Sequence, residues 1–193
     1  MTKVYEFLAE GFEELEALAP VDVLRRADVP VQTVSVTGEK TVCSSHGVQV
    51  VADLLFEDHS FEDADLLLLP GGMPGASHLN DHEGLRQLLL QHVGSGKRVG
   101  AICAAPMVLG TLGLLQGRRA TCAPGFEQHL KGAQYTSELV TEDGPFITAK
   151  GAAASLPYAY RLLALFRGEE EIHEMQRKMQ YLQLIGKQKT AYV

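Results

Sequence analysis

The sequence has few cysteines and no long apolar run. The 193 residues include three cysteines, a number that is odd and too small for a disulfide framework. This low count favours a reducing compartment. No apolar stretch approaches the roughly 20 residues that a membrane helix needs. Residues 1–7 also lack the apolar core and the small-residue cleavage site of a signal peptide. We therefore expect a cytoplasmic protein with no membrane as a partner.

Basic residues are also scarce. The 17 lysines and arginines are outnumbered by 24 acidic residues, which gives a net charge of −7. The only adjacent basic pairs are Arg25-Arg26 and Arg118-Arg119, whereas a general nucleic-acid binder presents a basic surface. The composition therefore argues against nucleic acid as a partner and indicates an acidic, solvated surface.

The sequence lacks linkers, repeats and low-complexity segments. With 46% hydrophobic and 21% charged residues, its composition is that of an ordinary globular protein. A chain of this length can bury a sizeable core within one domain. We therefore expect residues 1–193 to form a single domain.

Hydrophobic periodicity predicts strands that alternate with helices. Apolar or alternating runs predict strands at 3–9, 31–37, 65–70 and 98–102, a strand pair within 42–53, a short strand at 119–122, and a hairpin formed by 134–141 and 146–149. Helical spacing predicts helices at 15–27, 81–93, 106–115, 156–166 and 169–182, with Asn80 or Asp81 capping the second. This order indicates an α/β fold with a mostly parallel sheet covered by helices on both faces.

Cys103 lies between an apolar run that is predicted as a strand and one that is predicted as a helix. Helix amides and the positive end of the helix dipole favour a thiolate at such a junction. A thiolate is a nucleophile and is also readily oxidised, so Cys103 indicates either an enzyme or a redox sensor. The alternative is a buried, inert cysteine. Cys43 and Cys122 lack such flanking runs and are predicted to be structural.

Glu16 and the pair Gly71-Gly72 also follow directly on predicted strands. Because ligand-binding groups collect at the carboxyl edge of a parallel sheet, we expect both to lie near Cys103. A thiolate there would raise the pKa of Glu16 and keep it protonated as a hydrogen-bond donor and proton carrier. The glycines either expose an amide as an oxyanion donor or only form a tight turn. Their spacing does not match a phosphate-binding loop.

No histidine neighbours Cys103 in the sequence, although most thiol hydrolases use a histidine base. Among the seven histidines, His78 and His82 have an i, i+4 spacing that is a weak zinc signal without a third ligand. Both are more typical of surface residues around the predicted helix cap. We therefore expect no metal site.

Three segments, in this order and spacing, resemble the ThiJ/PfpI superfamily. The first reads Gly-Phe-Glu-Glu-Leu-Glu at 11–16 and continues as Pro-Val-Asp-Val-Leu-Arg-Arg at 20–26. The others read Leu-Pro-Gly-Gly at 69–72 and Ala-Ile-Cys-Ala-Ala-Pro at 101–106. The resemblance covers nearly the whole chain. It is specific to the parkinsonism-associated deglycase branch and the bacterial ThiJ-like (YajL-like) proteins.

The resemblance implies a flavodoxin-like three-layer sandwich of the class I glutamine-amidotransferase-like type, and usually a homodimer. It implies that Cys103 is the reactive cysteine and that Glu16 is hydrogen-bonded to it. Gly72 and Ala104 would supply amides that bind an oxyanion. No metal or organic cofactor is implied.

The sequence departs from the family pattern at three places. Ala123 precedes a proline where relatives carry His, Tyr or Phe. His46 ends a Cys-Ser-Ser-His stretch where relatives read Cys-Ser-Arg, so a pH-sensitive side chain replaces an anion-binding arginine. The segment 151–155 reads Gly-Ala-Ala-Ala-Ser in place of Gly-Pro-Gly-Thr. We keep His46 and Arg26, which lies in the opening segment, as candidate accessory residues.

These observations predict a cysteine-dependent, cofactor-free enzyme whose partner is a small reactive aldehyde or a glycated adduct. It would be a glyoxalase that converts methylglyoxal to lactate without glutathione, or a deglycase of early adducts. The alternative is an oxidative-stress sensor or chaperone whose Cys103 is oxidised to sulfinate, with little turnover. A peptidase of the superfamily would place a histidine where this chain has Ala104. An amidotransferase would need a glycine-flanked elbow and a His-x-Glu stretch, which the sequence lacks.

Overall fold

The computed structural model describes residues 3–186, so residues 1–2 and 187–193 of the predicted domain lie outside the described part. The strands are β1 (Val4–Leu8), β2 (Val31–Ser35), β3 (Thr41–Cys43), β4 (Gln49–Val51), β5 (Leu54–Leu55), β6 (Leu66–Leu69), β7 (Arg98–Ile102), β8 (Arg119–Ala120), β9 (Gln134–Tyr135), β10 (Val140–Asp143) and β11 (Phe146–Ala149). Seven of them form the central sheet in the order β10-β11-β7-β6-β1-β2-β5. Its pairings are parallel except for the β10–β11 hairpin at one edge.

Helices cover both faces of the sheet. They are α1 (Glu14–Arg26), α2 (Gly75–Asp81), α3 (Glu83–Gly94), α4 (Pro106–Thr111), α5 (Ser155–Leu163), α6 (Glu169–Lys178) and α7 (Tyr181–Gly186). Buried residues of α1 and α5 share one apolar cluster with the sheet, and those of α2, α3 and α4 share another with its opposite face. The predicted three-layer α/β sandwich is therefore confirmed.

Strand β6 shows why the sheet is buried on both faces. Its four residues are all leucines with no exposed surface. Because side chains alternate along a strand, Leu67 and Leu69 join the cluster beneath α2 to α4, while Leu66 and Leu68 join the cluster beneath α1 and α5. Each buried leucine stabilises the fold by roughly 1.5–3 kcal/mol. A strand of this composition belongs in the middle of a parallel sheet.

Several predicted boundaries are wrong. The helix predicted at 81–93 begins at Glu83, and its cap is the His82 ring nitrogen, which accepts from the amide of Leu85. Asp81 instead ends α2, a helix that the sequence analysis missed. The helix predicted at 169–182 is divided into α6 and α7. A positive φ at Gln180 interrupts the helical backbone there.

Three strand ends position the candidate site. Strands β1, β6 and β7 are neighbours in the centre of the sheet. The segments that follow them carry Glu16, Gly71-Gly72 and Cys103. Between residues 3 and 186, none of the helices has the length and apolar character to span a membrane.

Candidate active site

Cys103 occupies a sharp turn between β7 and α4. Its φ is 64°, in the left-handed region that non-glycine residues rarely adopt. Two backbone hydrogen bonds hold this conformation: the Cys103 amide donates to the Ala149 carbonyl at 2.8 Å, and the Ala123 amide donates to the Cys103 carbonyl at 2.8 Å. Pro106 follows as the first residue of α4, where its missing N–H costs nothing. The cysteine is therefore held outward from the sheet edge as a partly buried thiol.

The two glycines after β6 bring the backbone against this thiol. A Cβ on Gly71 would overlap the Glu16 carboxyl and lie 2.6 Å from the Cys103 Cβ, so only glycine fits there. Gly72 has a φ of +87°. The amides of Gly72 and Ala104 lie close enough to Cys103 to favour its ionised form. Their binding of an oxyanion stays a prediction.

Glu16 reaches the same point from the first turn of α1. The Glu13 carboxylate caps this helix by accepting from the Glu16 amide at 2.8 Å. The Glu16 side chain points inward, with 1% of the residue exposed. Its Oε2 accepts from the Gly71 amide at 3.0 Å, and its carboxyl lies beside Cys103, because a Cβ on Gly71 would meet both side chains. We call Glu16 and Cys103 the reactive pair.

Electrostatics determine where the proton of the reactive pair resides. Burial raises the pKa of Glu16 to about 7, although the hydrogen bonds from Cys103 and Gly71 offset part of the rise. Burial, followed by the charge and hydrogen bond of Glu16, raises the pKa of Cys103 to about 12. These shifts favour ionisation of Glu16 before Cys103, because burial opposes a charge on the sulfur more than the amides of Gly72 and Ala104 favour it. The thiolate beside a protonated Glu16 stays a prediction.

The two accessory candidates lie in different places. His46 is exposed at the tip of the β3–β4 hairpin, and its Nδ1 lies 3.0 Å from the Glu14 carboxylate. This hydrogen bond raises the pKa of His46. Arg26 is the last residue of α1 and pairs with Asp22 at 2.7 Å. Ten residues of helix, or about 15 Å, separate Arg26 from Glu16, so the structure does not bring Arg26 to the reactive pair.

Potential metal ligands are engaged in other bonds. Glu13, Glu14 and His46 place donor atoms within 4.8 Å of one another, but Glu13 caps α1 and Glu14 binds His46. His78 lies beside the Glu10 carbonyl, whereas His82 caps α3. The two histidines of the weak zinc spacing therefore have separate structural roles.

The other cysteines differ from Cys103 in their surroundings. Cys122 has no exposed surface, and burial raises its pKa to about 12. Cys43 ends β3, and its thiol donates to the Ser44 carbonyl at 3.6 Å. Neither contacts an acid in the way that Cys103 contacts Glu16.

The sequence analysis missed two polar residues that lie beneath the reactive pair, Glu6 and Tyr158. Each is 1% exposed, and Tyr158 belongs to the apolar cluster beneath α1 and α5. The signal for Glu6 was available, because it is the one charged residue in the otherwise apolar strand Val-Tyr-Glu-Phe-Leu. The position of Tyr158 on the inner face of α5 became visible only in the structure.

A strained cysteine on a strand-to-helix turn, an adjacent buried acid and converging amides define a class of α/β proteins with a reactive cysteine at a nucleophile elbow. Residues 2–165 match the DJ-1/PfpI family. The chain belongs to the DJ-1/PfpI family, and its branch is the DJ-1-like one. Its fold is the flavodoxin-like, class I glutamine-amidotransferase-like sandwich.

Similar proteins cover most of the chain. It is 35% identical over 175 residues to the protein DJ-1 homolog B of Arabidopsis thaliana, which covers 90% of the chain but only 40% of that longer relative. The glutathione-independent glyoxalase DJR-1.2 of Caenorhabditis elegans is 30% identical over 168 residues, 86% of this chain and 89% of that protein. The crystal structure of a DJ-1 superfamily protein from Salmonella typhimurium superposes with a TM-score of 0.89 at 31% identity, over 93% of this chain and 98% of that one.

Proposed function

We propose that this protein is a cysteine-dependent, cofactor-free enzyme that converts small 2-oxoaldehydes such as methylglyoxal to 2-hydroxy acids. The observation that carries the proposal is the reactive pair, in which a buried carboxyl lies beside a thiol at a sheet edge lined by amides. The similarity to a relative named a glutathione-independent glyoxalase supports it. Deglycation of early adducts would use the same nucleophile.

In the first step, the Glu16 carboxylate acts as a general base. It takes the Cys103 proton as the sulfur attacks the aldehyde carbon, so no free thiolate is required beforehand. A new C–S bond forms, and the carbonyl π electrons move to oxygen. The amides of Gly72 and Ala104 stabilise this oxyanion. Glu16 then returns the proton to that oxygen, which gives a hemithioacetal.

In the second step, Glu16 moves a proton between the two substrate carbons. Its carboxylate removes the C1 proton, and the C2 oxygen takes up the negative charge of the resulting enediolate. The proton of the C1 hydroxyl passes to the C2 oxygen, and Glu16 returns its own proton to C2, which leaves a thioester of the 2-hydroxy acid on Cys103. Water then cleaves the C–S bond, releasing the acid and restoring the thiol. A carboxyl whose pKa is about 7 suits both directions of transfer near neutral pH.

The test is lactate formation from methylglyoxal by the purified protein without glutathione, measured across the neutral pH range. We expect turnover to rise with pH through about 7, as Glu16 becomes a carboxylate. Glu16→Gln should lose this dependence and at least about a hundredfold in rate. Glu39→Gln, an exposed acid in the loop after β2, is the control. Absence of lactate with the unmodified protein would refute the proposal.

The second candidate is a stress sensor in which Cys103 is oxidised to sulfinate. One observation favours it: the amides that face the sulfur would also bind sulfinate oxygens, and a protonated Glu16 would donate to them. Mass spectrometry after mild peroxide treatment tests this function. Selective addition of two oxygens to Cys103, combined with no lactate formation, would favour the sensor over the enzyme.

We also propose that two copies associate through the face formed by α1, α5 and α7. Leu15, Leu139 and Leu184 are 60%, 57% and 55% exposed there. They line one apolar groove of about 530 Å³ together with residues of α5 and α7. Monomeric proteins rarely expose such a patch, and Leu15 directly precedes Glu16, so the interface would lie next to the reactive pair.

Replacing Leu15 by glutamate should weaken this dimer at least about tenfold, because a charge would be buried in an apolar interface. An acid in the first turn of α1 is compatible with helix formation. Sedimentation velocity over a concentration series measures the change. Leu90→Glu, at an exposed leucine of α3 on the opposite layer, is the matched control. Identical sedimentation of Leu15→Glu and the unmodified protein would contradict the assignment of this face.

A further inference from the structure

The chain that follows α5 packs back onto the sandwich as the two short helices α6 and α7. Four apolar residues of this part are partly buried against the cluster beneath α1 and α5, namely Ile172, Met175, Met179 and Tyr181. Gln180 separates the two helices with a φ of 62°, in the left-handed region that interrupts a helix. The position of α7 therefore depends on the contacts made at this junction.

Tyr160 of α5 contacts both residues that flank Gln180. Its hydroxyl donates a hydrogen bond to the Met179 sulfur, with an oxygen–sulfur distance of 3.4 Å. Its ring also packs on the Tyr181 ring, and the two ring centroids are 4.8 Å apart. Because Tyr160 is only 4% exposed, it belongs to the fixed part of the sandwich. One buried side chain thus attaches the junction to α5.

Met179 remains open to small oxidants. It is partly buried, whereas Met107 of α4 is only 8% exposed and lies within the core. A thioether sulfur carries two lone pairs, and the hydroxyl of Tyr160 occupies one of them. The other lone pair is the one available for attack. Peroxides convert methionine to its sulfoxide, which is polar and chiral.

A sulfoxide at Met179 would be incompatible with the observed contacts. Its S=O dipole would lie among apolar side chains, where a polar group without a hydrogen-bond partner is costly. The oxidised sulfur would also be a poorer acceptor for the Tyr160 hydroxyl, because it carries a partial positive charge. Hydration of the sulfoxide oxygen requires the Met179 side chain to turn outward. That movement removes the attachment of the junction to α5.

We propose that Met179 is a site of peroxide modification and that its oxidation releases α7 from Tyr160. The sulfur bonds to one oxygen of hydrogen peroxide as the O–O bond breaks. The sulfur loses two electrons, and the second oxygen takes up the remaining proton and leaves as water. Release would withdraw residues of α7 from the apolar groove that they line together with Leu15. This site is separate from Cys103, and the inference does not depend on the proposed function.

Hydrogen exchange of the α7 amides tests the release. After mild treatment with hydrogen peroxide, a peptide covering residues 181–186 should exchange at least about tenfold faster than before. Met179→Leu keeps the apolar contact and cannot be oxidised, so its exchange should not change on treatment. Met179→Gln places an amide dipole there and should exchange fast without peroxide. Met73→Gln is the matched control, since Met73 follows β6 and is 47% exposed.

The stereochemistry of the sulfoxide tests the role of the hydrogen bond. Because Tyr160 occupies one lone pair, peroxide should give mainly one of the two sulfoxide epimers at Met179. Methionine sulfoxide reductases A and B each repair one epimer, so they distinguish the two when applied to the digested protein before mass spectrometry. One reductase should repair most of the Met179 sulfoxide, whereas in Tyr160→Phe both should repair comparable shares.

Three outcomes would overturn the proposal. The first is a Met179 sulfur that stays unoxidised while Met73 is converted to its sulfoxide. The second is oxidation of Met179 with unchanged exchange of the α7 amides. The third is equal repair by the two reductases in the unmodified protein. All three are read without lactate formation, so they are independent of the outcome for the proposed enzyme.

Discussion

Replacing Cys103 by serine is expected to reduce lactate formation by on the order of a thousandfold or more, without unfolding the protein. Serine has nearly the same size and can keep the two backbone bonds that hold φ at 64°. Its hydroxyl is a far weaker nucleophile than the thiol, and the Glu16 carboxylate cannot readily remove its proton. Thermal denaturation should therefore remain near that of the unmodified protein while the chemistry is lost.

Cys43→Ser is the control for this experiment. Cys43 is also a partly buried thiol, and it donates a hydrogen bond to the Ser44 backbone carbonyl. The variant should retain full turnover. If Cys103→Ser forms lactate at a rate close to that of the control, the covalent mechanism is contradicted. A matched loss in both variants would point to a general effect of the thiols on the fold.

The second large effect concerns stability as a function of pH. The pKa of Glu6 is raised well above its usual value in the folded protein, whereas in the unfolded chain it lies near 4.3. Between these two values the folded state holds a proton that the unfolded state has lost. The free energy of unfolding therefore falls as pH rises, by about 1.4 kcal/mol per pH unit for this one group. Glu6→Gln removes this pH-dependent contribution to the free energy of unfolding.

Chemical denaturation at a series of pH values measures the difference between Glu6→Gln and the unmodified protein. The two should have similar stability near pH 4.3 and diverge above it, with the variant gaining about 1.4 kcal/mol per pH unit over the unmodified protein until the raised pKa of Glu6 is reached. Taking the difference cancels the other titrating groups, including His92, whose buried ring has a lowered pKa and acts in the opposite direction. Glu39→Gln should give no divergence. If the stability of Glu6→Gln and that of the unmodified protein change with pH in parallel, Glu6 is ionised in the folded state.

The sequence was sufficient to identify the candidate site residues and to predict that they lie at one edge of the sheet. Strand ends of a parallel sheet share one edge, so Glu16, Gly72 and Cys103 could be placed together from the positions of three apolar runs. The structure brings all three together. Their chemical roles stay predictions that the variants above test.

Details of the same site were not available from the sequence. Helix amides alone predicted a thiolate at Cys103, but the desolvation that raises its pKa depends on how the surrounding elements pack. Arg26 belongs to a segment that resembles the family opening, yet the length of α1 separates it from the reactive pair. The boundary between α2 and α3 depends on a cap formed by the His82 side chain. The usual preference for Asn or Asp at helix caps did not predict it.

The sequence by itself determined the α/β fold, the central position of the leucine strand β6 and the convergence of Glu16 with Cys103. These follow from periodicity and strand order, which are local properties of the chain. Only the tertiary structure decided which buried groups keep their protons, because pKa values depend on solvent exclusion and on neighbours from distant segments. Glu6, Glu16 and Tyr158 come from β1, α1 and α5, and packing alone makes them one electrostatic unit.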